Sequence, residues 1–521
     1  MIRITQIKCL CEEEIEAQII KKLNISKKDL LSWTIHRRSI DARHQKILFS
    51  YTVDARVRKE KRFLKQKDVS LTPDETYHPI KEGSRKLSYR PIVVGFGPAG
   101  MFASLLLARQ GYRPIVIERG SQIDIRKEKV QAFWQGEDLD EECNVQFGQG
   151  GAGAFSDGKL TTRSKDARAR KVLEELVAMG ADPDILIDAH PHIGTDGFVP
   201  ILKNLQKTIE DLGVSFYYDT CLKDLVLEDG KLKKVITSKE EFFCESLILA
   251  TGHSAVDTVK MCAEKGMNIE NKPYAIGVRI EHKQKFIDQA ILHERAQDQR
   301  FCPARYQVSM TASNQKGVYS FCMCPGGYVI PSSSQKEHLV INGMSFSHRD
   351  GENANSALLV QVNEKDYGSE LFAGLCYQEE IEKKAFAMAK DYRACVQLAK
   401  DYLQGKVSRS FGTVKPTYYR GTTFVDLNTL FSKQVNDALH EGLLYFEKRI
   451  PGFSLQDAVL SAVESRSSSA VRILRDENLE SNIEGIYPCG EGSGYAGGIM
   501  TSAIDGLKCA EKVIESFAKP L

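Results

Sequence analysis

The sequence has no surplus of charge of either sign. Lys and Arg number 71 against 69 Asp and Glu, a formal net charge of +2 over 521 residues, so composition supplies neither a basic nucleic-acid face nor an acidic tail. Long apolar runs are also missing. No segment offers the roughly 20 consecutive apolar residues of a membrane span, and MIRITQIKCLCEEEIE has no apolar core of a secretory signal. The 13 Cys include no CxxC pair and no Cys/His cluster at zinc spacing, and the close pairs Cys9/Cys11 and Cys322/Cys324 each lack a second ligand pair. Repeats and low-complexity segments are absent as well. These absences exclude a disulfide-stapled fold and predict a soluble cytoplasmic protein with reduced thiols and no metal. Its expected partner is a small molecule rather than a membrane or a nucleic acid; composition leaves the oligomeric state open.

What is present is an ordinary globular composition, 42% hydrophobic and 27% charged, at a length suited to two to four domains. Residues 2 to 7 alternate as a strand, Ile15, Ile19 and Leu23 share a helical face, and strands are expected around Trp33/Ile35 and at Ile47, Phe49, Tyr51 and Val53. Residues 1–63 therefore form a small βαββ accessory unit, followed by a polar linker over 64–90 containing Pro73, Pro79 and Gly83. Arg37, Arg38 and Arg43 make a basic cluster in this unit, open to a phosphate or a nucleic acid, or to solvent alone.

PIVVGFGPAG at 91–100, followed by MFASLLLARQGYRPIVIERG, alternates buried strand, glycine turn, helix and second strand. In that context Gly95 permits the tight strand exit, Gly97 clears the approach to a pyrophosphate and Gly100 allows the helix to pack on the strand. Pro98 and Ala99 open the helix, and Glu118, followed by Arg119, stands where a carboxylate can accept a ribose hydroxyl. The glycines alone do not separate FAD from NAD. YPCGEGSGYAGGIMTSAIDG at 487–506 looks like the closing flavin-contact motif of two-dinucleotide-fold flavoproteins, with Gly490, Gly494, Gly497, Gly498 and Ile499 bringing backbone donors close and Glu491 accepting a hydroxyl. SLILATGHSA adds an apolar strand with Thr251 and Gly252 at its end.

Together with QFGQGGAGAFSDGKLTTR at 146–163, FCMCPGGYVIP at 321–331 and VESRSSSAVRI at 463–473, these motifs resemble a group of bacterial FAD-dependent dehydrogenases, related distantly to glutathione-reductase-like and aromatic-hydroxylase-like flavoproteins. The resemblance spans essentially the whole chain. It implies an α/β fold with a Rossmann-like FAD-binding domain built from 91–270 and 451–521, an inserted mixed α/β substrate domain over 271–450, and the small amino-terminal α+β unit as an appendage.

Within these motifs Gly148, Gly150, Gly151 and Gly153 let backbone approach a flat ring or a phosphate, and Ser156, Asp157 and Lys159 offer polar groups. Lys159 is the candidate to stabilise negative charge on reduced flavin or substrate. Arg126 is expected to orient the ring or its loop. Arg466 is the candidate for binding a substrate anion, with pairing to Glu464 as its structural alternative, and Arg472 stands nearby in sequence. Cys322 and Cys324 read as core cysteines, and His253, His282 and His348 belong to no acid–base motif. Leu202, Leu205 and Ile209 mark a helix, residues 214–217, 232–236 and 273–280 strands, and 378–402 a packing helix. The expected function is an FAD-dependent oxidoreductase exchanging hydride equivalents between flavin N5 and a small organic substrate, with NAD(P)H as a candidate transient reductant. A flavin monooxygenase and an FAD-binding regulatory or RNA-associated protein are the alternatives.

Overall fold

A computed structural model describes residues 1–42, 47–162, 166–454 and 457–520, so Arg43 of the basic cluster lies outside the described residues. The amino-terminal unit is a four-stranded antiparallel sheet in the order Leu30–Asp41, Leu48–Val57, Ile2–Cys9, Val69–Leu71. Helix Ile15–Leu23 buries Ile15, Ile19 and Leu23 in the core beneath it, as their 3–4 spacing requires. The fourth strand falls inside the segment read as linker. Three residues within a polar stretch show no alternation, and their partner, Ile2–Ile4, is supplied from far away in sequence.

A five-stranded, all-parallel sheet forms the dinucleotide-type layer, in the order Ile486–Pro488, Leu247–Leu249, Ile92–Val94, Ile115–Ile117, Ser215–Tyr217. Helices Pro98–Arg109 and Ile499–Ser516 cross so closely that a Cβ on Gly506 would stand on the Ala99 backbone. A three-stranded antiparallel sheet, Leu222–Glu228, Lys231–Thr237 and Glu241–Phe243, follows the fifth strand in sequence.

The second layer is a seven-stranded sheet centred on Tyr274–Lys283. Val459–Glu464, assigned by sequence to the closing part of the FAD domain, instead pairs with Tyr274–Lys283 and Ala394–Leu398 inside this sheet. Every residue of that strand is buried, and a continuous apolar run does not show which sheet it will join. The chain crosses between the layers along an antiparallel ribbon of Ile269–Asn271 with Val471–Ile473, so the return comes after the sheet strand rather than at 451. The expected long helix over 378–402 ends at Ala389, and Ala394–Leu398 is strand. Among the described residues no helix is long and apolar enough to cross a membrane.

The amino-terminal unit docks through its edge. Arg38 N donates to Ile187 O (2.6 Å), Ala189 N donates to Arg38 O (2.8 Å), and the Arg38 guanidinium holds Asp188, Asp184 and Glu12 at 2.8–3.2 Å. That guanidinium is a domain clamp; Arg37 beside it remains exposed.

Candidate active site

Parallel strands all end at one edge, so segments hundreds of residues apart deliver their following turns to the same place. Here those turns wall a cavity of about 700 Å³. Gly95, with φ +95°, turns the chain out of the first strand, and Gly97, Pro98 and Ala99 at the start of helix Pro98–Arg109 line the cavity. Gly97 faces Gly151, where a Cβ would stand 2.9 Å from Gly97 Cα. Gly100 faces away: a side chain there would overlap Gly95 O, so its role is helix packing.

Glu118 ends the second strand of the motif, is 5% exposed, and accepts three backbone N–H groups, from Phe96 (2.7 Å), Gly148 (2.9 Å) and Gly120 (3.0 Å). It ties the first glycine turn to the second glycine loop. Three of about four acceptor directions are used, leaving one on the cavity side for a hydroxyl. Arg119 lines the wall, stacks over Phe147 at 4.3 Å, and pairs with Asp257 (2.6 Å) and Glu142 (2.8 Å).

Arg126 does not reach the cavity. It is wholly buried beneath the loop, donating to the carbonyl oxygens of Gln149 (2.7 Å), Asn144 (2.9 Å), Val145 (2.9 Å), Gly151 (3.0 Å) and Gly148 (3.2 Å). Burial lowers its pKa to about 10, still charged at neutral pH. Gly148 lines the cavity, while Gly150 has Leu202 where a side chain would go (2.6 Å) and serves packing. Ser156 lines the wall, donating to Gly153 O (2.8 Å) and accepting from Gly158 N (3.0 Å).

From the other strands come Thr251 and Gly252, then Glu491, Gly497, Gly498 and Ile499 at the amino end of helix Ile499–Ser516. No heavy atom lies within 4 Å of a Cβ built on Gly497 or Gly498, so their backbone faces open space. Gly490 packs on Ala99 instead. Burial raises the Glu491 carboxyl to about 7, against the pull of Lys272. Near the same strand end, Cys489, Asp505 and Cys509 are clustered, but Arg475 (2.7 Å) and Gly490 N (2.7 Å) already occupy the Asp505 carboxylate.

Beyond this cradle the cavity continues towards the seven-stranded sheet, where its wall becomes charged. Asp157, fully buried, holds Arg349 (2.5 Å) and lies 3.5 Å from Lys159 Nζ. Burial opposes the Lys159 charge, but Cys322 and Asp157 outweigh it and raise the pKa. Lys159 Nζ donates to Met323 O and lies 3.8 Å from Cys322 Sγ. Arg466 lines the cavity, yet its guanidinium is bidentate to Glu382 (2.8 Å and 2.8 Å) and also donates to Gln335 (2.5 Å) and Ser334 (3.2 Å). Its ion-pair partner is thus Glu382 on helix Ala373–Ala389, because Glu464 ends a strand facing Arg279 (3.2 Å). His253 is pushed down to about 4 by burial and by Arg466, and stays neutral.

Two cations, Arg279 buried behind the wall and Arg305 in it, were not singled out from the sequence. Arg279 lies mid-strand in an apolar run, buried, and donates to Cys322 O (2.6 Å), Asn355 Oδ1 (2.9 Å) and Asn342 Oδ1 (3.2 Å). Arg305, in an irregular segment, lines the cavity with no carboxylate in ion-pair range among the described residues; its guanidinium donates to His190 O (3.3 Å). Burial and Arg349 lower its pKa to about 10. Cys322, read as a core residue, is half-exposed and faces the cavity, because a register shift between Phe321 and Cys324 turns it outward.

The donor set fits FAD. Two helix amino ends, a side-chain-free gap between Gly97 and Gly151, open backbone at Gly497 and Gly498, and acceptors at Glu118 and Glu491 suit a pyrophosphate flanked by hydroxyl-bearing sugars.

A family described as FAD-dependent protein, C-terminal domain-like, matches residues 273–467, and a domain of unknown function matches 1–56. L-proline dehydrogenase from P. horikoshii aligns at a TM-score of 0.34 and 14% identity, over 83% of this chain and 93% of that one. Glycine oxidase from Bacillus cereus ATCC 14579 aligns at 0.31 and 12%, over 82% and 94%. Likenesses at that level assign no substrate. An uncharacterized protein of Clostridium beijerinckii is 43% identical over 530 residues, covering 100% of this chain and 99% of that protein. The chain therefore belongs to the family of bacterial FAD-dependent proteins that this Clostridium relative represents.

Proposed function

We propose that the protein is an FAD-dependent oxidoreductase moving hydride equivalents between flavin N5 and a small organic anion, with NADH or NADPH as candidate reductant. The observation that carries this reading is the continuation of the cavity past the glycine cradle into a chamber walled by Lys159, Arg305 and Glu464. A purely structural cofactor has no need of an adjoining chamber lined with titratable groups.

Bound FAD supplies a two-electron acceptor and donor centre. Lys159, held by Asp157 and the Met323 carbonyl, stabilises negative charge that develops in the chamber. Arg305, already partly desolvated and with no carboxylate in ion-pair range among the described residues, binds the anionic end of the substrate. Glu464, raised to about 7 by burial, holds or releases a proton near neutrality. Arg466 positions the wall through Glu382 rather than contacting substrate. The RNA-associated alternative loses support from Arg38, whose guanidinium is taken by three carboxylates.

The test is an anaerobic titration of FAD-loaded protein with NADH and NADPH, following the oxidised-flavin band near about 450 nm. Prompt bleaching by one nucleotide identifies the donor. A flavin that neither nucleotide nor a panel of small carboxylates, amines and alcohols reduces would overturn the enzymatic reading.

A further inference from the structure

Cys322 and Cys324 are the strongest feature that this function leaves unused. Cys322 lies within, and Cys324 just after, a bulge in strand Gly317–Cys324, where the register against Asn353–Val362 shifts between Phe321 and Cys324. Cys322 has φ +45°, a conformation that costs a side-chain-bearing residue energy and persists only when its surroundings impose it. The surroundings do impose it: Arg279 Nη2 donates to Cys322 O (2.6 Å), Lys159 Nζ donates to Met323 O, and the Cys324 thiol donates to Cys322 O (3.3 Å). Two cations from two different domains thus grip the carbonyls of two successive residues and turn one sulfur towards the cavity. Cys322 lines that cavity, whereas Cys324 is fully buried behind it.

The same wall carries a counter-charge. Glu464, 4% exposed and lining the cavity, sets its Oε2 3.2 Å from Nη1 of the Arg279 guanidinium that grips Cys322 O, so the charges around the bulge are held in one network.

We propose that Cys322 and Cys324 form a dithiol–disulfide couple serving as a second redox centre beside the flavin, with Cys322 as the attacking sulfur and Cys324 as the resolving one. In the direction of substrate reduction, the Cys322 thiolate attacks one sulfur of an organic disulfide. A Cys322–substrate bond forms, the substrate S–S bond breaks, and one thiolate departs. Cys324 then attacks Cys322 Sγ, loses its proton, and releases the second thiol, leaving the Cys322–Cys324 disulfide. Two electrons and one proton from reduced flavin return the pair to thiolate and thiol, oxidising the flavin; the reverse direction oxidises dithiols. Only the electron exchange rests on FAD occupying the cavity.

The groups facing Cys322 are Cys324, Lys159, Arg279, Asp157, Glu464 and Glu491. The hydrogen bond from Cys324 and the cations Lys159 and Arg279 hold its thiol well below the usual range against burial, while Cys324 is held above it. That split is the one an attacking and a resolving thiol need.

The test equilibrates full-length, FAD-loaded protein in graded mixtures of oxidised and reduced dithiothreitol, quenches in acid, alkylates and maps the peptides. The expected result is that Cys322 and Cys324 lose alkylation together while exposed Cys376 keeps it. Anaerobic dithionite titration of the oxidised protein should then consume two electron pairs, against one for Cys322→Ser and for Cys324→Ser. Both thiols remaining free at the most oxidising ratio, or a single electron pair in the unaltered protein despite a mapped disulfide, would overturn the proposal. A chain that retains no FAD would defeat the flavoprotein reading, while the thiol map would still decide whether the disulfide forms.

Discussion

Arg126 lies directly beneath Gly148, its side chain filling the space a Cβ at 148 would need, while its guanidinium collects five carbonyl oxygens of residues 144–151. The loop that walls the flavin cavity is thus shaped from below by one buried cation. Gly148→Ala meets both that side chain and a φ of +119°, so it should cost about 1–3 kcal/mol and lower FAD retention. Arg126→Met orphans the carbonyls and should cost about 3 kcal/mol or more. Thermal unfolding and the flavin-to-protein absorbance ratio measure both. An Arg126→Met protein with unchanged flavin retention and stability would contradict this role.

Glu118 should behave as a structural tie as well as a hydroxyl acceptor. Glu118→Ala removes the partner of three N–H groups and should weaken FAD binding at least tenfold. Fluorescence titration of the stripped protein with FAD gives the number.

Arg466→Gln leaves Glu382 buried without its cation, which should cost about 3–5 kcal/mol. Adding Glu382→Gln should recover much of that loss. A direct substrate contact predicts the opposite pattern: intact stability, no rescue, and a defect confined to KM.

Arg305→Ala should raise KM for an anionic substrate about 10- to 100-fold, with little change in FAD retention, since Arg305 has no carboxylate to orphan. Arg305→Lys should recover part of the loss. Steady-state kinetics with the reductant found by titration separates the two effects.

The pH dependence follows from Glu491, whose carboxyl rises from 4.5 to about 7 on folding. The folded state then holds a proton that the unfolded state releases, so this contribution is fully present below about pH 4.5 and is lost as pH rises to about 7. Denaturant unfolding of FAD-stripped Glu491→Gln should show a shallower decline across that window than the unaltered protein. Glu464, raised to about 7 as well, adds to the same slope, while the buried imidazoles of His253 and His282, pushed down to about 4, act in the opposite sense.

Local pattern carried much of the architecture. Ile15, Ile19 and Leu23 sit on one helix face because 3.6-residue periodicity needs no knowledge of the rest of the chain, and GFGPAG sits at a strand exit because only glycine tolerates those backbone approaches. The strands at 215–217, 231–237 and 274–283 were legible from apolar runs. Membership of Val459–Glu464 in the seven-stranded sheet was not, since a fully buried strand reads the same in either layer.

The sequence by itself determined that glycine turns and the Glu118 carboxylate stand at the strand ends, because a tight strand exit and close helix packing are local backbone requirements. Tertiary structure alone decided the partners: Arg466 with Glu382, Arg126 under the loop instead of in the cavity, Arg305 without a carboxylate, and Cys322 beside Lys159. The reason is physical. Charges and thiols carry no address in their identity, and which of them are paired, desolvated or left facing a cavity is fixed only when distant strands and helices bring them together.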